Sequence, residues 1–323
     1  MMPKPKKLLD QVRDRIRTKQ YAVKTEQAYL NWIKRYIQFH DKRHPRELTA
    51  EDLETYLTYL AVEGKVAAST QNQALSAILF LYKEVLDMPI ETNFQFIGAK
   101  KQKRLTVVLT NQEVQQVLDR MVGTTKIIGQ LLYGSGLRVS ESIRLRVQNI
   151  DFEQGQILVR DGKGAEDRIT MLPEVLVEPL REHLIRVKDL HQQDLKNGHG
   201  RVFLPNALAR KYPHAETKWI WQYIFPSKTI TKSRSDNIMQ RHHISPSTVQ
   251  LAVHNAAKSA QIDKHVTPHT FRHSFATHLL EAGYDIRTVQ ELLGHKNVQT
   301  TMIYTHVLNK RPKAVRSPLD NMN

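Results

Sequence analysis

Along this chain of 323 residues the apolar side chains recur with the period of a helix nearly everywhere, and that period breaks between Ile150 and Leu172. A chain patterned in this way must fold by packing helices against one another, with room for one small sheet. Tyr29, Trp32, Ile33, Tyr36 and Ile37 fall at i, i+3, i+4, i+7 and i+8 and form one apolar helix face. Thr49-Ala50-Glu51-Asp52 reads as a capping sequence ahead of Leu53, Tyr56, Leu57 and Leu60. Ser69-Thr70 is expected to open a further helix carrying Leu75, Ile78, Leu79 and Tyr82. The aromatic residues on these faces read as core rather than as base-stacking groups. Residues 1–90 are therefore expected to form a small all-helical domain.

Between residues 91 and 106 the periodicity is lost, and the basic cluster Lys100-Lys101-Gln102-Lys103-Arg104 appears. This stretch is expected to be a linker. Its charges either lie along phosphates or are a solvated run, and the two readings stand level. Helical patterning resumes at Asn111, through Val114, Val117, Leu118 and Met121 and then Ile127, Ile128, Leu131 and Leu132. Gln156 to Val159 and Arg168 to Leu172 are short β-type runs flanking the turn residues Asp161-Gly162-Lys163-Gly164. They predict a hairpin, with an earlier short strand around Ile150-Asp151-Phe152. Helices are then expected to the end. The fold class read from the pattern is mostly α with a small antiparallel sheet. A helical N-terminal domain precedes an α+β second domain over residues 107–323.

Charge narrows the partners. Lys and Arg number 48 against 32 Asp and Glu, a formal net charge of +16. Such an excess attracts polyanions, nucleic acid first and an anionic membrane surface second, although a generally solubilising surface would look the same. No apolar run approaches the roughly 20 residues that span a bilayer. The stretch from Met1 to Asp10 is charged and reads as no signal peptide, so a cytoplasmic location is expected. The chain has no cysteine, which excludes disulfides, cysteine zinc fingers and a thiol nucleophile. Covalent chemistry would have to use Ser, Thr, Tyr, Lys, His or a carboxylate.

The C-terminal third carries the densest set of reactive types. Thr267-Pro268-His269 places an N-cap and a first-turn proline ahead of the apolar run Phe271 to Leu280. His269 and Arg272, three apart, project from one side of a helical first turn whose free N–H groups favour an anion. Taken alone the pair is surface decoration. Gly283 is expected to end this helix, Asp285 to cap the next, and Gly294 to stop it. His295 then follows at a helix C-terminus, where a protonated imidazole is favoured. A last helix is expected after Asn297, with Tyr304 on it, and a tyrosine so placed is usually core or interface. Upstream, Tyr133-Gly134-Ser135-Gly136-Leu137-Arg138 sets an arginine after two glycines that permit a tight backbone approach. Lys163 sits at a hairpin tip from which a long amine can reach a substrate. A structural arginine and a solvated lysine are the plain alternatives.

Gly136-Leu137-Arg138-Val139-Ser140-Glu141, Gly162-Lys163-Gly164, His269-Thr270-Phe271-Arg272-His273, Leu292-Leu293-Gly294-His295 and Tyr304 together resemble the ordered signature of the tyrosine recombinases of the phage-integrase family. The resemblance covers the second domain, and the N-terminal helices are similar to that family's core-binding domain. A narrower likeness is to integron integrases. It rests on an inserted segment at about 205–225, from Asn206 to Trp219-Ile220-Trp221, together with Arg241-His242-His243 and the closing Arg316-Ser317-Pro318-Leu319-Asp320.

This resemblance implies a site-specific recombinase in which Tyr304 attacks phosphorus, giving a 3′-phosphotyrosyl link and a free 5′-hydroxyl. Arg138 and Arg272 would grip the nonbridging oxygens, His269 would act as general base, Lys163 as general acid, and His295 would hydrogen-bond the phosphate or the nucleophile. It implies no metal and no other cofactor. His269-x-x-x-His273 has i, i+4 spacing but lacks the glutamate of H-E-x-x-H, and no P-loop is present. DNA is the implied partner, as duplex and as folded single-stranded sites, with four copies assembled on two synapsed sites. Trp219, Trp221, His242 and His243 could clamp displaced bases, or the tryptophans could be helix anchors in the core. An Xer-like enzyme acting on duplex sites alone, a silent DNA-binding regulator and a metal-dependent nuclease remain the rivals.

Overall fold

A computed structural model of the chain describes residues 6–90, 106–160, 167–204, 206–232 and 238–305. The expectations placed on Lys100, Lys101, Lys103 and Arg104, on Lys163 and its turn, and on the tail beyond Thr305 lie outside the described residues. By its internal contacts the chain divides into two units, Met1–Arg104 and Leu105–Asn323.

The first unit is helical among its described residues: α1 (Leu8–Thr18), α2 (Val23–Phe39), α3 (Ala50–Val62) and α4 (Ala68–Phe80), the last continuing into a wider-wound turn over Leu81–Val85. Thr49 and Asp52 form a reciprocal capping box that starts α3. Trp32, Ile33 and Tyr36 of α2 pack with Leu53, Tyr56, Leu57 and Leu60 of α3 and with Ile78 and Tyr82. Tyr36 and Tyr82 share a hydroxyl–hydroxyl bond of 3.2 Å, and Tyr82 donates on to the Pro45 carbonyl, so these aromatics are core with satisfied polar tips. One boundary differs from expectation: α4 starts at Ala68 with Ala67 as its cap, one residue before Ser69-Thr70, and no side chain caps it.

The second unit begins with α5 (Asn111–Arg120), capped reciprocally by Thr110 and Glu113, then α6 (Gly123–Gly134) and the single turn α7 (Val139–Ser142). A three-stranded antiparallel sheet follows, in the order β1 (Ile150–Asp151), β2 (Gln156–Val159) and β3 (Arg168–Met171), with Ile157 opposite Thr170 and Val159 opposite Arg168. Next come α8 (Val177–Lys196) and α9 (Asn206–Lys211), and then a second antiparallel pair, β4 (Pro226–Lys232) and β5 (Met239–His243). The unit closes with α10 (Pro246–Ser259), α11 (Pro268–Glu281), α12 (Ile286–Leu293), α13 (Val298–Thr301) and a 3-10 turn, Met302–Tyr304. Helix α6 lies against α11 and α5 against α10. Their shared core includes Val117, Ile128, Leu131, Val253 and Phe271.

The structure departs from the sequence reading at two further places. The region of the β4–β5 hairpin was expected to be helical. Its strands, PSKTITK and MQRHH, are polar and hardly buried, so they carry no alternating apolar signal. What fixes β5 is a buried ion pair: Arg241 grips Asp194 of α8 through two bonds of 2.5 and 2.7 Å and also donates to the Ser227 and Lys228 carbonyls. Tyr304, expected on a helix, lies instead in the 3-10 turn after α13 has ended at Thr301.

The loop from α6 to α7 depends on glycine. Gly136 has φ +62°, and a Cβ there would fall 2.5 Å from the Phe275 ring and 3.1 Å from Leu293. Gly136→Ala is expected to destabilise the protein by about 2–4 kcal/mol, from left-handed strain and overpacking together, as read by urea denaturation. A change below half a kcal/mol would show that the close approach is not needed.

Candidate active site

Helix α11 opens with Thr267 and Pro268, as expected, and delivers Arg272 into the interior, where the whole residue is 2% exposed. Its guanidinium is anchored from behind. Nη1 donates to the Gly136 carbonyl at 2.5 Å, while Nη2 donates to the Leu293 carbonyl at 2.6 Å and to His295 Nε2 at 3.1 Å. One side chain thus joins the glycine loop, the end of α12 and the residue after it. Burial first, then the neighbouring Arg138 charge, lowers its pKa to about 9, with Glu141 opposing.

Arg138 stands at the mouth of α7. Its backbone N–H and Nη1 both bond Glu141, at 2.8 and 2.5 Å. Glu141 also takes two bonds from Arg168, at 3.1 and 2.7 Å, and lies 3.8 Å from Arg272 Nη1. Burial alone would push this carboxyl up. The bonds and charge of Arg168, then those of Arg138, outweigh it and bring the pKa down to about 2. Sequence reasoning quoted Glu141 inside a motif but gave it no role. It is the common counter-ion of three arginines, and Arg168, which also bonds the Leu292 carbonyl, was missed altogether. The i, i+3 spacing of Arg138 and Glu141 was the available signal.

Gly294 ends α12 at φ +62°, and a Cβ on it would strike the Arg168 side chain at 2.6 Å. His295 follows, but its expected protonation is overturned. Burial and the charges of Arg272, Arg138 and Arg168 press its pKa to about 3, so three guanidinium groups outweigh the partial charge of a helix end. The ring stacks on Tyr304 with centroids 6.4 Å apart and planes 17° from parallel.

Tyr304 itself is 1% exposed. Its hydroxyl shares a 3.0 Å hydrogen bond with His273 Nδ1. Burial raises the phenol pKa despite the opposing charges of Arg272 and Arg138, so the group is a neutral phenol at rest. His273, pushed down to about 4 by burial, His269 and Arg272, is neutral as well. The sequence reading paired Tyr304 with His269. The residue in contact is His273, one helical turn further along α11. His269 is exposed at the surface, stacks loosely on His273 at 6.2 Å, and has its pKa lowered by partial desolvation of the ring, then by Arg272 and Arg138. Arg138, His269, Arg272, His295 and Tyr304 therefore converge, from four separate elements.

Beside Arg138 opens a cavity of about 580 Å³ whose lining includes Arg144, Arg146, Trp221, Tyr223, His242 and His243. Arg146 holds this wall together, donating to the Trp221 and Phe203 carbonyls and lying 4.6 Å over the Tyr223 ring. Trp221 is 8% exposed and packs with Val202, Leu204 and Tyr223, so it is a core residue with one face on the cavity. Trp219 is not part of this lining and rests against His191. His242 and His243 are kept neutral chiefly by burial, His243 down to about 4. Among the described residues no group of three or more His, Cys, Asp or Glu is placed to hold a metal ion, and no helix is long and apolar enough to cross a membrane.

On the first unit, α2 and α4 border a shallow polar depression lined by Lys24, Thr25, Asn72 and Gln73. These were missed, because polar residues on an outer helix face leave no periodic trace.

Residues 107–311 match the phage integrase family, and residues 8–92 match its N-terminal SAM-like domain. An "Integrase/recombinase" of Escherichia coli is 49% identical over 97% of this chain and 93% of its own. The tyrosine recombinase XerD of Halalkalibacterium halodurans is 34% identical, covering 90% of this chain and 89% of its own. Among solved structures, the XerH site-specific recombinase in a post-cleavage complex with its palindromic difH substrate superposes with a TM-score of 0.62 at 19% identity. That match covers 93% of this chain and 80% of the other.

Proposed function

Because the chain belongs to the phage integrase family of tyrosine recombinases, we propose that it cleaves and rejoins DNA with Tyr304 as the nucleophile. The phenol oxygen bonds to phosphorus as the bond to the 5′-oxygen breaks, leaving a 3′-phosphotyrosyl link. The phenol proton passes to an imidazole, with His273 as its resting partner and His269, one turn earlier on α11, as the base that takes it. Lys163 supplies a proton to the departing 5′-oxygen. Arg138 and Arg272 neutralise the nonbridging oxygens, for which a guanidinium fork is the matching shape. A free 5′-hydroxyl then reverses the step on another strand, and the phosphotyrosyl bond conserves the energy of the broken link. One observation carries this reading: a single hydrogen-bonded line runs from Gly136 through Arg272 to His295, and Tyr304 stacks on that imidazole.

The substrate is proposed to be of the integron type, including folded single-stranded sites with unpaired bases. The cavity beside Arg138 supports this, since its aromatic and guanidinium walls suit a base turned out of a duplex close to the cleaved phosphate. Two groups are assigned to the phosphate backbone and base edges of the flanking duplex. They are Lys100, Lys101, Lys103 and Arg104 of the linker, residues 91–106, and the amides and lysine of the α2–α4 depression. Four copies on two synapsed sites complete the proposal.

A nicked suicide duplex and a folded single strand bearing an unpaired base, incubated with wild type, should each yield a covalent complex stable to detergent. Tyr304→Phe should yield none, a loss on the order of 10⁴-fold or more. Trapping by the Phe variant would refute the nucleophile. Trapping on the duplex alone would favour the Xer-like reading that the XerD relative suggests.

A further inference from the structure

The proton on His295 can be located from its neighbours. A guanidinium has donors only, so the 3.1 Å contact from Arg272 Nη2 makes Nε2 an acceptor. The neutral ring, held so by burial and three arginines, must then carry its proton on Nδ1. That nitrogen lies 3.0 Å from Thr301 Oγ1, which accepts the bond. Thr301 is the last residue of α13 and is completely buried, so no solvent can take its place. The backbone of His295 is fixed too, through its N–H to the Gln290 carbonyl and the Gln290 side-chain amide to its own carbonyl.

This arrangement suits the empty site and opposes the occupied one. A phosphoryl oxygen brings no hydrogen, so an acceptor Nε2 facing it would be repelled. Once the Arg272 donors turn to phosphate, His295 is useful only as the Nε2–H tautomer. Its Nδ1 is then an acceptor and needs a donor in the same place. A hydroxyl meets both demands by rotating about its Cβ–Oγ bond.

We propose that Thr301 is the positioning residue of His295, its hydroxyl accepting from Nδ1–H in the free protein and donating to Nδ1 when DNA is bound. The exchange occurs with solvent as the site opens to admit DNA: water gives one proton to Nε2 and takes the one released from Nδ1, so the ring stays neutral and no net proton is consumed. The free-protein half stands on the two contacts of the ring and its buried, arginine-lined setting, and the DNA-bound half rests on the function proposed above.

Two measurements on the full chain separate them. With ¹⁵N-labelled histidine, and the His295 signals identified by their loss in His295→Gln, free wild type should show a protonated Nδ1 and an unprotonated Nε2 at neutral pH. The reverse tautomer, or an imidazolium, overturns the assignment whatever the enzyme does. Single-turnover trapping on the nicked duplex should then be about tenfold or more slower for Thr301→Val, the scale of one lost buried hydrogen bond, with duplex affinity unchanged. Thr301→Ser should restore the rate. In a His295→Gln background Thr301→Val should cost nothing further, because it acts through that ring. An equal loss in both backgrounds overturns the positioning role. If wild type traps nothing while the tautomer is as stated, the proposed function fails instead.

Discussion

Arg272→Lys is expected to slow covalent DNA cleavage by about 10³–10⁵-fold, the range that a single arginine supplies to phosphoryl transfer elsewhere. The size follows from what the guanidinium does. In the free protein it spends donors on Gly136, Leu293 and His295 at once, and two more N–H groups, with the one that His295 gives up when phosphate enters, are there for oxygen. An ammonium has three donors from one atom and cannot span those partners. The burial that lowers the Arg272 pKa would also disfavour the charged form of a lysine there. Single-turnover trapping on the nicked duplex reads the effect. A Lys variant within tenfold of wild type would remove Arg272 from the chemistry.

The second large effect concerns stability. Glu141→Ala leaves Arg138 and Arg168 without their shared counter-ion and is expected to cost about 3–5 kcal/mol, the scale of breaking a buried pair. Its pH dependence has a definite sign. The folded pKa, about 2, lies below the ordinary 4.5, so the carboxylate contributes stability fully above pH 4.5 and loses it as pH falls toward 2. At 1.36 kcal/mol per pH unit the contribution is about 3 kcal/mol. Glu141→Gln should therefore be less stable than wild type at pH 7 and close to it near pH 2. Urea melts at several pH values report this directly, and parallel curves for the two proteins would contradict it.

Much of the scaffold was readable from local chemistry. The Thr49–Asp52 box, Asp285 as a cap and Gly294 as a stop are decided within four residues of sequence, and the chain adopts them. The hairpin of β2 and β3 followed from a change of period. The β4–β5 pair did not, because its strands are polar and its register depends on Asp194, far away on α8. The residues of the candidate site were legible as types in an order. Their states were not. His295 was expected to be charged and is neutral, since its burial and the three arginines beside it are set by the packing of distant segments. His273 was passed over in favour of His269 because spacing along one helix cannot say which ring meets a phenol delivered from a different turn. Glu141 acquires its role only when Arg168 is folded back from β3.

The sheltered phenol has a consequence for how this molecule meets chromosomes. A surface with +16 net charge will touch countless phosphodiesters during a search. Under the function proposed above, a Tyr304 oxygen tucked inward against an imidazole, with its proton still in place, would leave them unnicked. Breakage would then await an encounter that draws the phenol out.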